Sequence, residues 1–157
     1  MYKKVLVPLD GSELAECALP HLKNLAKEGS IGEVILFKVV EMEIPLVYPY
    51  LPYDGYMPGV DFQTLLDEQY AKSTEYLDKV QAQLLAEGIK VEGLVVKGGR
   101  TSQAIVDYVR KNNVDLIVIA SHGYTGMKKM LLGSVAYKVL HESHVPVLLI
   151  RPESCQV

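Results

Sequence analysis

Residues 114–140 read VDLIVIASHGYTGMKKMLLGSVAYKVL. The apolar run at 114–120 gives way to a connection bearing Gly123 and Gly126. Gly133-Ser134 then opens a segment of helical period. A run rich in Val and Ile, without polar alternation, is what a strand buried on both faces of a parallel sheet requires. Glycines let backbone amides approach an anion closely, and the amides left unpaired at a helix N-terminus are donors for phosphate oxygens. In an open α/β sheet, ligands bind outside the carboxyl ends of the strands, which is where this strand end, loop and helix start would lie.

The same alternation runs outward through the rest of the chain. Residues 5–9, 34–40, 91–96 and 145–150 are further apolar, β-branched runs. Between them lie helical patterns. Leu14, Ala18, Leu22 and Leu25 share one stripe, with Ser12 as its N-cap and Glu13 and Glu16 in the first turn. Phe62, Leu65, Leu66, Tyr70, Tyr76, Leu77, Val80 and Leu84 share a longer one, closed by Gly88. Residues 101–113 point Ile105, Tyr108 and Val109 inward, and residues 134–143 form the last helix. The order βαβαβαβαβ predicts an open, doubly wound, five-stranded parallel sheet with helices on both faces. We expect one α/β domain over residues 1–152 and a short tail at 153–157. A Tyr/Pro-rich loop occupies 44–60: residues 44–59 hold four Pro and four Tyr, which excludes a regular helix or central strand. Such a loop is either a surface excursion or a lid over a ligand.

Composition narrows the function. The chain has 157 residues, 49% hydrophobic and 22% charged, which excludes disorder and low-complexity classes. Its net charge of -3 argues against nucleic-acid binding. Residues 1–78 carry a net of -7 and residues 79–157 a net of +4, so an anion site is expected in the second half. The apolar runs are far too short to span a membrane, and Pro8 and Asp10 interrupt the first of them, so a cytoplasmic protein is expected. Cys17 and Cys155 have no metal-like spacing and read as ordinary thiols. The P-loop, dinucleotide-binding and protein-kinase signatures are all missing, which makes P-loop hydrolysis and dinucleotide redox chemistry improbable.

Several residues admit more than one role. Asp10 could hold a ligand or simply cap the helix after it. His122 has no nucleophile partner evident in the sequence, so a loop-orienting role is preferred over general-base catalysis. His141 and His144 are spaced like a metal pair, yet no further ligand is suggested, and both read as C-terminal residues facing the helix dipole. Lys128, Lys129 and Lys138 are either phosphate contacts or a solvated face. No catalytic set and no protein-only metal site can be argued.

Four segments, VLVPLDGSE at 5–13, NVDLIVIASHG at 113–123, LLGSVAYKVL at 131–140 and VPVLLI at 145–150, resemble the universal stress protein family across nearly the whole chain. The ATP-binding members share G-x2-G-x9-G-[ST] after the fourth strand. Gly123-x9-Gly133-Ser134 matches it, while Ala120 stands at the first glycine. A second departure is Gly99-Arg100-Thr101, where the family often has Gly-x-Pro; Thr101 is expected to cap the third helix instead.

The resemblance implies strand order 3-2-1-4-5 and an ATP pocket between the first and fourth strands. Pro8 and Val39 would flank the adenine, with the Val39 backbone reading its edge, and Leu9 would also line the nucleotide site. Asp10 would lie by the ribose and a Mg²⁺ or Mn²⁺ carried on the phosphates. Ala120 and Gly123 would line the phosphate loop, and Gly133, Ser134 and Val135 would donate to the phosphates. The function implied is a nucleotide-dependent regulatory or stress-response protein with little or no catalysis. The alternatives are a nucleotide-independent dimeric module of the same fold and a slow ATP hydrolase. A homodimer is expected through the edge strand running from Val145 to Ile150, because an apolar edge must be covered or paired.

Overall fold

The computed structural model describes residues 1–41, 59, 61–122 and 132–151. Nearly all of the Tyr/Pro-rich segment, the connection from Gly123 to residue 131, and the tail from residue 152 lie outside the described residues.

The strands are β1 (Tyr2–Pro8), β2 (Ile31–Val40), β3 (Val91–Lys97), β4 (Leu116–Ala120) and β5 (Val147–Ile150). The helices are α1 (Glu13–Glu16), α2 (Ala18–Lys27), α3 (Phe62–Ala86), α4 (Thr101–Lys111) and α5 (Ser134–Glu142). The strands form one sheet in the order β3-β2-β1-β4-β5, parallel throughout, as expected. Successive side chains of a strand point to opposite faces, and each face of this sheet has its own core. Val5, Val7 and Leu9 pack with Leu22 of α2 and Leu77 and Leu84 of α3. Leu6 packs on the other side with Ile105 and Val109 of α4 and with Ala136 and Val139 of α5.

Several boundaries differ from expectation for identifiable reasons. The first helix is two helices, because Pro20 has no N–H for the Glu16 carbonyl and its ring crowds that turn. Strand β5 begins at Val147 instead of Val145, since Pro146 contributes only its carbonyl to the ladder, accepting from Ile117 N–H at 3.0 Å. The stripe expected along α3 is buried only in its second half, at Leu77, Val80 and Leu84, while Leu65 is 49% exposed. The first half runs past the apolar core and is tied down by polar contacts. Lys97 pairs with Asp67 at 2.8 Å and sits 4.6 Å from the Tyr70 ring centroid. Cys17 is not the ordinary thiol expected, for it is disulfide-bonded; Cys155 lies outside the described residues. Among the described residues no helix is long and apolar enough to cross a membrane.

One departure from regular pairing positions the site. Strand β1 pairs with β2 from Tyr2 to Pro8. Its ladder with β4 covers only Val5–Leu6 opposite Leu116–Ile117, although β4 continues to Ala120. Pro8 has no N–H to continue the pairing. The chain leaves β1 toward β2 on one side and returns to β4 on the other, so a crevice opens at their carboxyl ends.

Phe37 is fully buried, with its ring centroid 5.0 Å from that of Tyr108. Replacing it with Ala should cost about 3–5 kcal/mol in urea unfolding, because a large core side chain leaves a cavity. Leu65→Ala on the exposed half of α3 should stay within about 0.5 kcal/mol.

Candidate functional site

A cleft of about 900 Å³ occupies this crevice. Pro8, Leu9, Asp10, Val39, Ala120, Gly133, Ser134 and Val135 all line it. Of the residues singled out in the sequence for the pocket, Gly123 alone lies outside the described residues.

The loop after β1 forms one wall. The Asp10 carboxylate accepts from Ser12 N–H at 2.8 Å and from Ser12 Oγ at 2.6 Å. Ser12 Oγ in turn accepts from Ala15 N–H at 3.1 Å, so Ser12 caps α1 and Asp10 orients the cap. Gly11 makes the turn at φ +91°, in the left-handed region that glycine enters without strain. From below, Lys38 on β2 donates to the Asp10 carbonyl at 2.8 Å. Burial holds the Lys38 ammonium below its ordinary pKa, and the nearby Asp10 charge offsets part of that shift. The Tyr76 hydroxyl, on the same side, donates to Glu16 at 2.8 Å. Burial, the Glu16 hydrogen bond and the nearby charges of Glu16 and Asp10 push the Tyr76 pKa up.

Helix α5 forms the facing wall. Its N-cap is Gly133, which has no side chain to satisfy the first amides of the helix. Gly133 N–H donates to the Ser121 carbonyl at 2.7 Å, and Ser121 N–H donates to the Ile150 carbonyl at 2.7 Å. These bonds fasten the start of α5 to the ends of β4 and β5. The approach is close enough that a Cβ at Gly133 would lie 3.0 Å from the Ser121 oxygen. His122 Nδ1 lies 3.0 Å from the neighbouring Ser121 Oγ. At the far end of the cleft, Thr101 N–H donates to Glu41 Oε1. Thr101 is therefore the first residue of α4 and not its cap; the N-cap is Arg100, and Glu41 provides the acceptor.

Other candidates stand apart from the cleft. Lys138 is paired with Glu142 at 3.8 Å along α5. His141 stacks on Tyr137 with centroids 6.1 Å apart, and His144 falls beyond the C-cap Ser143, off the helix. Lys128 and Lys129 lie outside the described residues. Among the described residues no three His, Cys, Asp or Glu side chains gather in a metal-binding group.

The sequence matches the universal stress protein family over residues 1–151. The chain belongs to that family. It is 35% identical over 157 residues to the universal stress protein MJ0577 of Methanocaldococcus jannaschii, with 96% of each chain covered. The solved structure of MJ0577 superposes with a TM-score of 0.79 at 34% identity, again over 96% of each chain. Two more distant structures carry adenine nucleotides. One is a universal stress protein in complex with cAMP, at TM-score 0.62 and 22% identity over 96% of this chain and 98% of that one. The other is a family member from Arabidopsis thaliana with AMP bound, at TM-score 0.64 and 17% identity over 95% and 91%. Those two likenesses establish the shared fold.

Within this universal stress protein cleft, sequence reasoning missed Lys38, Glu41 and Tyr76. Lys38 left a signal, being the one charged residue in the apolar run at 34–40. Glu41 and Tyr76 left none, since their partners Thr101 and Glu16 are 60 residues away in each case.

Lys38 makes a pH-dependent prediction. A lysine whose pKa is lowered by folding binds fewer protons in the native state than in the unfolded one, so stability rises with pH from the lowered value up to the ordinary 10.5. Urea midpoints of the wild type should therefore climb relative to Lys38→Met across that alkaline window.

Proposed function

We propose that this universal stress protein binds ATP in the β1–β4 cleft and works in the cytoplasm as a nucleotide-dependent regulatory protein of the stress response, with little or no catalysis. The observation that carries this reading is the meeting, in one cleft, of the uncapped N-terminus of α5, the Asp10 loop and the apolar pair Pro8 and Val39. The AMP and cAMP held by relatives support an adenine nucleotide. Pro8, Leu9 and Val39 would take the base. Gly133, Ser134 and Val135 would present main-chain donors to phosphate, where the helix dipole favours negative charge. Ala120 and Gly123 would border the phosphates. Residues 1–152 act as one domain in this reading.

Asp10 is the carboxylate at the β1 end of the cleft, and no cage of protein ligands surrounds it among the described residues. A hard divalent ion brought by the phosphates, Mg²⁺ or Mn²⁺, would neutralise phosphate charge beside Asp10. His122 is engaged with its neighbour Ser121, which supports an orienting role.

The nucleotide-independent alternative draws on Ala120 in place of the motif glycine. Chromatography with mass detection of small molecules released on denaturation, with calorimetry of Mg-ATP, separates the readings. Wild type is expected to hold or bind an adenine nucleotide. Gly133→Val, which forces a side chain against the Ser121 oxygen, should weaken binding at least about tenfold, and Ala120→Gly should tighten it. No retained nucleotide and no millimolar affinity would sink the ATP reading.

A homodimer through β5 belongs to the same proposal. Strand β5 is a sheet edge, Leu148 on it is 37% exposed, and α5, packed at the same edge, exposes Tyr137 and Leu140. An unpaired apolar edge is a liability unless covered. Sedimentation should show a dimer, and Leu148→Lys should shift it to monomer.

A further inference from the structure

Two helices aim their N-termini into this cleft, and the chain treats them differently. Residues at the start of both α4 and α5 line it. At α5 the N-cap is glycine, and among the described residues no side chain caps the first amides. At α4 the N-cap Arg100 makes no side-chain cap, and the acceptor comes from another element: Glu41, directly after β2, takes the Thr101 N–H. A carboxylate at a helix N-terminus occupies the place an external anion would take. Glu41 is well placed to stay there. Gly98 N–H donates to the Val40 carbonyl at 2.8 Å, so the backbone just before Glu41 is pinned to the end of β3. Val39, two residues earlier, packs on the same side of the sheet as α4.

The two helix starts consequently differ. One end offers amide donors and the positive end of a helix dipole; at the start of α4 stands the Glu41 carboxylate, which itself offers only acceptors, while Gln69 and Lys72 of α3 also line the cleft. Among the described residues, the second oxygen of Glu41 has no hydrogen-bond partner. We propose that Glu41 determines base specificity: held by Thr101 N–H, its carboxylate selects a purine with an amino donor at position 6 and rejects one with a carbonyl there. This rests on the adenine-nucleotide reading above and deepens it. The 6-amino group of adenine donates, whereas the O6 of guanine accepts. Against a carboxylate, O6 leaves two desolvated acceptors facing each other, and burying an unpaired polar group is far costlier than the net gain of one hydrogen bond.

Binding of Mg-ATP, Mg-GTP and Mg-ITP by calorimetry tests this, on wild type, Glu41→Gln and Thr101→Pro. Wild type should prefer ATP by at least about tenfold, the order expected when a hydrogen-bonding site meets the wrong partner. Glutamine keeps an acceptor for Thr101 N–H and adds a donor for O6, so the ATP preference should fall by about tenfold. Proline at 101 removes the N–H that fixes the carboxylate while suiting the first position of a helix. Arg100 already has φ -86° and ψ 133°, the conformation favoured before proline. Thr101→Pro should therefore lower the preference with α4 intact, judged by an unchanged thermal melt. Variants that weaken all three nucleotides alike, or a wild type that binds ATP, GTP and ITP equally, would overturn the role of Glu41 and leave the nucleotide reading standing. A wild type that binds none of the three would overturn both.

Discussion

Strand β1 is hydrogen-bonded on both edges, and on the β4 side its ladder stops after Leu6 opposite Ile117. The rest of the site depends on that interruption. Had β1 and β4 remained paired to their ends, their carboxyl termini would have presented a closed sheet edge. Because they part, the residues that follow them turn outward into the gap: Asp10 and Gly11 on one side, Ser121 and His122 on the other. Proline at position 8 makes the parting inexpensive, since it has no donor to leave unsatisfied. The two cores on opposite faces then hold both walls against the same rigid sheet.

Main-chain groups supply the donors on the α5 wall of the cleft. The α5 N-terminus is fastened through Gly133 to Ser121 and through Ser121 to Ile150, so its amides are positioned by backbone geometry. The positive excess of the second half of the sequence contributes less than the charge arithmetic suggests. Lys138 is spent on Glu142, and Lys97 on Asp67. Lys38, the cation on the cleft wall closest to Asp10, comes from the acidic half and is engaged by the Asp10 carbonyl. A count of charges along a chain locates no site, because side-chain charges close on their nearest opposite partners once the fold brings them together.

The order of elements, the parallel sheet and the cleft itself were legible because their signals are local. Unbroken Val/Ile runs announce strands buried on two faces, and the glycine at a strand-to-helix connection announces a close approach. Boundaries were less legible where one proline acted: Pro20 divided the first helix, and Pro146 shortened β5. The apolar stripe along α3 is buried only in its second half, since a periodic stripe does not reveal where the sheet beneath it ends.

Amino-acid order by itself determined the five strands, their parallel packing and the family to which the chain belongs. All three follow from short-range periodicity and motif spacing. Tertiary structure alone decided that Glu41 meets Thr101, that Tyr76 meets Glu16, and that Lys38 props the Asp10 loop. Each of those contacts joins segments 28 or 60 residues apart. Nothing in the local pattern of either segment specifies the other; only the shared sheet brings them within hydrogen-bonding distance.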